Sequence, residues 1–184
     1  MYEVEVKVPA DLEGVRGRLE EIDARSVGAV VQEDTYYDAP HRSFPDTDEA
    51  LRIRSERPET GDEATRITYK GPLIDDESKS REEIETGVTD GEKMDAVLTN
   101  LGFEAAATVR KERDRFEIDH AGATYTITLD TVEGVGEYVE VETDVEGEID
   151  LDPARDGAYE ILDRLGLDPD DQLRTSYLGL LLGS

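Results

Sequence analysis

Tyr2, Val4, Val6 and Val8 alternate with Glu3, Glu5 and Lys7, and no two neighbours in that run share a polarity. Side chains of a β-strand point to opposite faces with period two, so one face of this strand is apolar and the other carries three charges about 6.6–7 Å apart. Similar faces recur down the chain. Arg52 pairs with Arg54, Arg66 with Lys70, and Lys111 with Arg113 and Arg115; Arg81 shares a face with Glu83 and Glu85, and Glu140 with Glu142. Asp130 shares its face with Thr124, Thr126 and Thr128.

Any one such face is most simply a solvated surface. The overall charge argues against that for the set. Asp and Glu number 47 against 20 Lys and Arg, a formal net charge of −27, and only five of the cations are lysines. Nine of the 20 cations (Lys7, Arg52, Arg54, Arg66, Lys70, Arg81, Lys111, Arg113 and Arg115) lie on the polar faces of predicted strands. A protein with so acidic an exterior, as halophilic proteins have, does not spend its cations on solvent. The economical reading is that these faces converge on one enclosed space while Val and Leu pack outward against helices, the inverse of a barrel with an apolar interior.

Buried charges need partners. A cavity lined by both arginines and carboxylates has a natural guest in a polyphosphate with a divalent metal. Guanidinium forks and ammonium groups take phosphate oxygens, and carboxylates take Mg²⁺ or Mn²⁺. The same acidity excludes nucleic acid as a partner. No apolar run of membrane-spanning length occurs and the amino terminus reads straight into a charged strand, so a cytoplasmic protein is expected. The absence of cysteine removes thiolate ligands and nucleophiles. His41 and His120 fall in predicted turns, and Gly134-Val135-Gly136 precedes no helix.

Helices are expected from Asp11 to about Gly28 through Leu12, Val15, Leu19 and Ile22, over Asp90–Leu101, from Asp152-Pro153 to Gly166, and from Asp168-Pro169 through Leu173, Tyr177, Leu180 and Leu181. Asp75–Lys79 reads as a mobile acidic loop, and Glu56–Ala64 as the link of a hairpin. About eight mostly antiparallel strands and four helices result, in one domain spanning 1–184. The stripe Leu173–Leu181 either caps the barrel or joins a homodimer.

Glu3-x-Glu5-x-Lys7 resembles the ExExK signature of the CYTH superfamily, the triphosphate tunnel metalloenzymes. Supporting matches run along nearly the whole chain. They include Asp34-Thr35-Tyr36-Tyr37-Asp38, Leu51-Arg52-Ile53-Arg54, Thr68-Tyr69-Lys70-Gly71-Pro72, Arg81-Glu82-Glu83-Ile84-Glu85, Lys111-Glu112-Arg113, Leu129-Asp130, Glu140-Val141-Glu142 and Ser176-Tyr177-Leu178. The pattern is most similar to the class IV adenylyl cyclase-like branch, without the His-Phe pair that precedes the signature in bacterial members.

The resemblance implies an α+β fold, an eight-stranded antiparallel closed β-barrel whose tunnel binds triphosphate, with helices outside. It implies Glu3, Glu5, Asp130, Glu140 and Glu142 as carboxylates for Mg²⁺ or Mn²⁺. Lys7, Arg52, Arg54, Lys70, Arg81, Lys111 and Arg113 become phosphate-binding groups, and Glu3, Glu5 and Lys7 the catalytic strand. Two reactions fit: closure of ATP to cyclic AMP and pyrophosphate, or hydrolysis of inorganic, thiamine or nucleoside triphosphate. A non-catalytic polyphosphate- or nucleotide-binding module is the third reading.

Overall fold

The computed structural model describes residues 1–183. Eight strands close into one antiparallel barrel: β1 (Tyr2–Pro9), β2 (Arg25–Asp38), β3 (Ala50–Pro58), β4 (Ala64–Leu73), β5 (Arg81–Val88), β6 (Glu104–His120), β7 (Ala123–Val132) and β8 (Gly136–Val145). Their order around the barrel is β1-β5-β4-β3-β2-β6-β7-β8. The expected closed barrel with helices outside is the fold observed. β3–β4 and β6–β7 are the expected hairpins, and the second turns through Ala121 and Gly122, both at positive φ.

The apolar strand faces point outward. Val6 and Val8 of β1, Ile127 and Leu129 of β7, and Val139 and Val141 of β8 are all at most 1% exposed. They pack under α1 (Leu12–Glu21) and α4 (Leu151–Arg164) through Leu12, Val15, Leu19, Ala158, Ile161 and Leu162. Full burial of an aliphatic side chain of this kind contributes about 1.5–3 kcal/mol, so the shell outside the barrel is the main hydrophobic core. The Asp11 carboxylate caps α1 by accepting from the Glu13 N–H. A second cluster seats α3 (Gly91–Asn100) and the single-turn α2 (Phe44–Thr47) against Tyr37, Leu51 and Ile53. Among the described residues no helix is long and apolar enough to cross a membrane.

Three expectations change. The first helix ends at Glu21 rather than near Gly28, because the chain from Arg25 onward already pairs as β2 with β6. The helix read from Asp168-Pro169 onward is a 3-10 turn at Pro169–Asp171 followed by a later helix, α5 (Tyr177–Leu182). The intervening chain lies against β1, where Leu173 N–H donates to Lys7 O at 2.7 Å, and Ser176 then caps α5. A contact with the barrel replaces the first helical turn. The Asp75–Lys79 segment is also tied down: Arg174 donates to Asp75 O and Ser78 O, Tyr159 donates to Glu77 O, and Ser78 is fully buried.

Candidate functional site

The barrel encloses a cavity of about 1130 Å³. Alternation on β1 and β8 turns Glu3, Glu5, Lys7, Glu140, Glu142 and Asp144 inward, and the register sets Glu5 beside Glu142 and Lys7 beside Glu140. Ligand oxygens of Glu3, Glu5 and Glu142 all lie within 4.8 Å of one another. Lys70 of β4 donates to Glu3 and stands 2.8 Å from Glu83. Lys79 Nζ donates to Glu5 Oε1 at 2.7 Å.

The Glu142 side chain makes no hydrogen bond or ion pair among the described residues. Burial raises its carboxyl; Arg113 opposes the rise, Glu3 and Glu140 add to it, and the result is about 8. Burial pushes Glu3 the same way, but the Lys70 ammonium outweighs it and holds Glu3 at about 2. Three converging carboxylates, one of them unpartnered and disfavoured as an anion, suit a hard divalent cation. The donor set therefore fits Mg²⁺ or Mn²⁺.

Cations occupy the rest of the wall. Arg54 grips Asp34 with both arms, Nε to Oδ1 at 2.6 Å and Nη2 to Oδ2 at 2.7 Å, and Arg52 Nη1 stands 3.5 Å from Oδ2. Arg113 grips Asp130 in the same way and also reaches Glu140. Asp130 further accepts from the Tyr177 hydroxyl at 2.8 Å. Asp130 and Glu140 thus stand in an arginine-centred network rather than in the three-carboxylate cluster. Arg81 bonds the Gly71 and Asp48 carbonyls beside the start of β5.

Lys7 and Lys111 both face the Tyr177 ring, their Nζ atoms 4.3 and 4.9 Å from its centroid. Lys7 Nζ also donates to Thr175 O at 2.6 Å. Burial, with Lys79 nearby, lowers Lys7 to about 7; burial, with Arg113 nearby, lowers Lys111 to about 8. The Lys7 ammonium has only a carbonyl and a ring beside it and Lys111 stands 3.8 Å from Asp130 Oδ2, so both are placed to take an anion.

The site also includes Asp34, Lys79 and Arg174, to which no motif in the sequence gives a role. Asp34 shares the inward face of β2 with Gln32 and Tyr36, but Glu33 and Thr35 on the other face are polar too, so alternation does not mark it. Lys79 lies between strands, where its one signal is to be among five lysines in so acidic a chain.

A family model described as CYTH domain matches residues 1–177. The chain belongs to the CYTH family. A Methanocaldococcus jannaschii protein named "putative adenylate cyclase" is 38% identical over 181 residues, which cover 98% of each chain. An Aeromonas hydrophila protein named adenylate cyclase CyaB is 27% identical over 136 residues, 74% of this chain and 64% of that one. Among solved structures, a Pyrococcus horikoshii protein superposes with a TM-score of 0.90 at 39% identity, covering 98% of both chains.

Proposed function

We propose that this CYTH protein is a divalent-metal-dependent enzyme that binds a triphosphate in its tunnel and closes ATP to cyclic AMP and pyrophosphate. The observation that supports this reading is the pairing, in one cavity, of the Glu3, Glu5 and Glu142 cluster with a wall of arginines and lysines. Those three carboxylates would hold Mg²⁺ or Mn²⁺, which when bound supplies charge neutralisation to the phosphate oxygens. Lys7, Arg52, Arg54, Lys70, Lys111 and Arg113 would hold the phosphate chain.

The chemistry asks for little more than position and charge. The ribose 3′-oxygen attacks the α-phosphorus, its proton passes to solvent water, and the bond from the α-phosphorus to the oxygen bridging it to the β-phosphate breaks. The negative charge that collects on the departing pyrophosphate falls among ammonium and guanidinium groups already in place. A nucleoside is favoured over a bare phosphate chain by the room available. At about 1130 Å³ the cavity is large for a small-molecule site, and Phe44, Pro45, Leu178 and Leu182 give its lining an apolar part. Hydrolysis of inorganic, thiamine or nucleoside triphosphate is the second reading, because the same charged wall complements the phosphate chain common to all of these. In that case water takes the place of the 3′-oxygen.

A panel of ATP, GTP, thiamine triphosphate and tripolyphosphate, with Mg²⁺ or Mn²⁺ in high salt, tests the proposal. Cyclic AMP with pyrophosphate and no orthophosphate is the expected result. Orthophosphate without cyclic nucleotide would replace the cyclase reading with the triphosphatase. Tight binding without turnover would leave a binding module.

A further inference from the structure

Two of the three clustered carboxylates are already neutralised by lysines, Glu3 by Lys70 and Glu5 by Lys79, while Glu142 has no such partner. Lys79 is the unusual member, because no strand carries it. It stands in the link between β4 and β5, and its own N–H donates to Glu5 O at 3.0 Å. That link is held by residues of two other segments. Arg155 of α4 pairs with Asp75 at 3.4 Å and Glu77 at 3.0 Å, and Arg174 donates to Ser78 O at 3.1 Å. Lys79 is therefore delivered to Glu5 by a braced segment rather than by a free arm.

A divalent ion arriving alone at Glu5 has to displace this ammonium and leave it in the cavity without a counter-ion, which is costly. A triphosphate arriving alone finds the same ammonium already engaged. Both obstacles vanish when the two arrive together. Resting on the tunnel reading above, we propose that Lys79 is a stand-in for the metal: it holds Glu5 in the empty tunnel, then passes to a phosphate oxygen as the ion takes the carboxylate. The protein accordingly takes up its metal and triphosphate as a chelate, with each ligand strengthening the other.

Calorimetric titration with Mn²⁺ alone, and separately with tripolyphosphate in the presence of a chelator, tests the exchange in the wild type, Lys79→Met and Lys79→Gln. Folding of each variant is checked by circular dichroism. The variants should bind Mn²⁺ alone about tenfold more tightly and metal-free tripolyphosphate about tenfold more weakly. In the wild type, saturating tripolyphosphate should tighten Mn²⁺ binding by a similar factor beyond that of the free chelate. Absence of that tightening would overturn the exchange even if neither variant folds. Unchanged or weaker Mn²⁺ binding by a folded variant, or independent binding of the two ligands by the wild type, would overturn the exchange alone. A wild type that bound neither ligand would overturn the tunnel reading and this inference with it.

Discussion

Arg113 and Asp130 form a two-pronged ion pair inside the barrel, Nε to Oδ1 at 2.6 Å and Nη2 to Oδ2 at 2.5 Å, with side chains 5% and 0% exposed. Both Asp130 oxygens are occupied, and the register that sets β6 beside β7 places the two residues directly opposite. The pair is a structural strut of the tunnel. Removing one partner leaves a buried charge uncompensated, which costs about 3–5 kcal/mol. Asp130→Asn should therefore lower the urea midpoint strongly, while the refolded or salt-stabilised variant keeps its Mn²⁺ affinity within about threefold, well short of the tenfold step that 1.4 kcal/mol represents. Chemical denaturation and Mn²⁺ titration on one preparation check both halves; a large loss of Mn²⁺ affinity would return Asp130 to the metal ligands.

Glu142 should behave in the opposite way. Its carboxyl is raised from the usual 4.5 to about 8 by burial, against Arg113 and with Glu3 and Glu140. A raised carboxyl stabilises the fold below pH 4.5, and that contribution is lost as pH rises through 8. Glu142→Gln stays neutral throughout. Relative to the wild type it should gain stability between pH 4.5 and 8 and show no difference below that window. It should also lose most of its Mn²⁺ affinity, having given up the one unpartnered ligand of the cluster. Thermal melts across pH 4 to 9 with a parallel Mn²⁺ titration read both effects.

Lys7 and Lys111 set a pH dependence for the anion. Burial lowers them to about 7 and about 8, so above those values each loses the proton that a phosphate oxygen needs. Binding of metal-free tripolyphosphate should take up protons and weaken steadily from pH 7 to 9. For each lysine the limiting slope is about tenfold per pH unit. Lys111→Met should remove the part of the slope centred near 8 and leave the part near 7. Titrations in buffers of differing ionisation heat measure the proton uptake directly; an affinity flat across that range would count against both lysines as phosphate groups.

The sequence made the charged walls readable wherever a polar strand face opposed an apolar one, as on β1, where Val4, Val6 and Val8 back Glu3, Glu5 and Lys7. β2 lacked that contrast. Asp34 is flanked by Glu33 and Thr35, so its face could not be told from the other by polarity, although Asp34 is 2% exposed and holds two arginines. A carboxylate known only to point inward does not reveal whether it meets a cation or a metal. For Asp130 and Glu140 that depends on the register of β6 against β7 and β7 against β8, a property of paired strands and not of either alone. Lys79 was illegible for a related reason. Its place beside Glu5 comes from a link braced by Arg155 and Arg174, contacts across about 75 to 100 positions of chain that no local period records.

Gly157 tests the packing outside the barrel. It sits in α4 directly over Tyr125 of β7, whose hydroxyl donates to Ala154 O at 3.0 Å. A Cβ added at Gly157 would stand 2.1 Å from that hydroxyl oxygen and 2.8 Å from the ring carbon bearing it. Tyr125 is 1% exposed and has nowhere to retreat, so α4 must lift from the sheet or the ring must leave its site. Overpacking of this kind costs about 1–3 kcal/mol, set against about 1 kcal/mol of helix propensity gained by alanine. At this separation the clash should win, and Gly157→Ala should lower the unfolding midpoint despite the better helix former. Tyr125→Phe removes the nearest atom but leaves the ring carbon, so the double variant should recover part of the loss and not all of it. Urea unfolding of the two single variants and the double one gives the coupling, and simple additivity would show that the two residues do not share the clash.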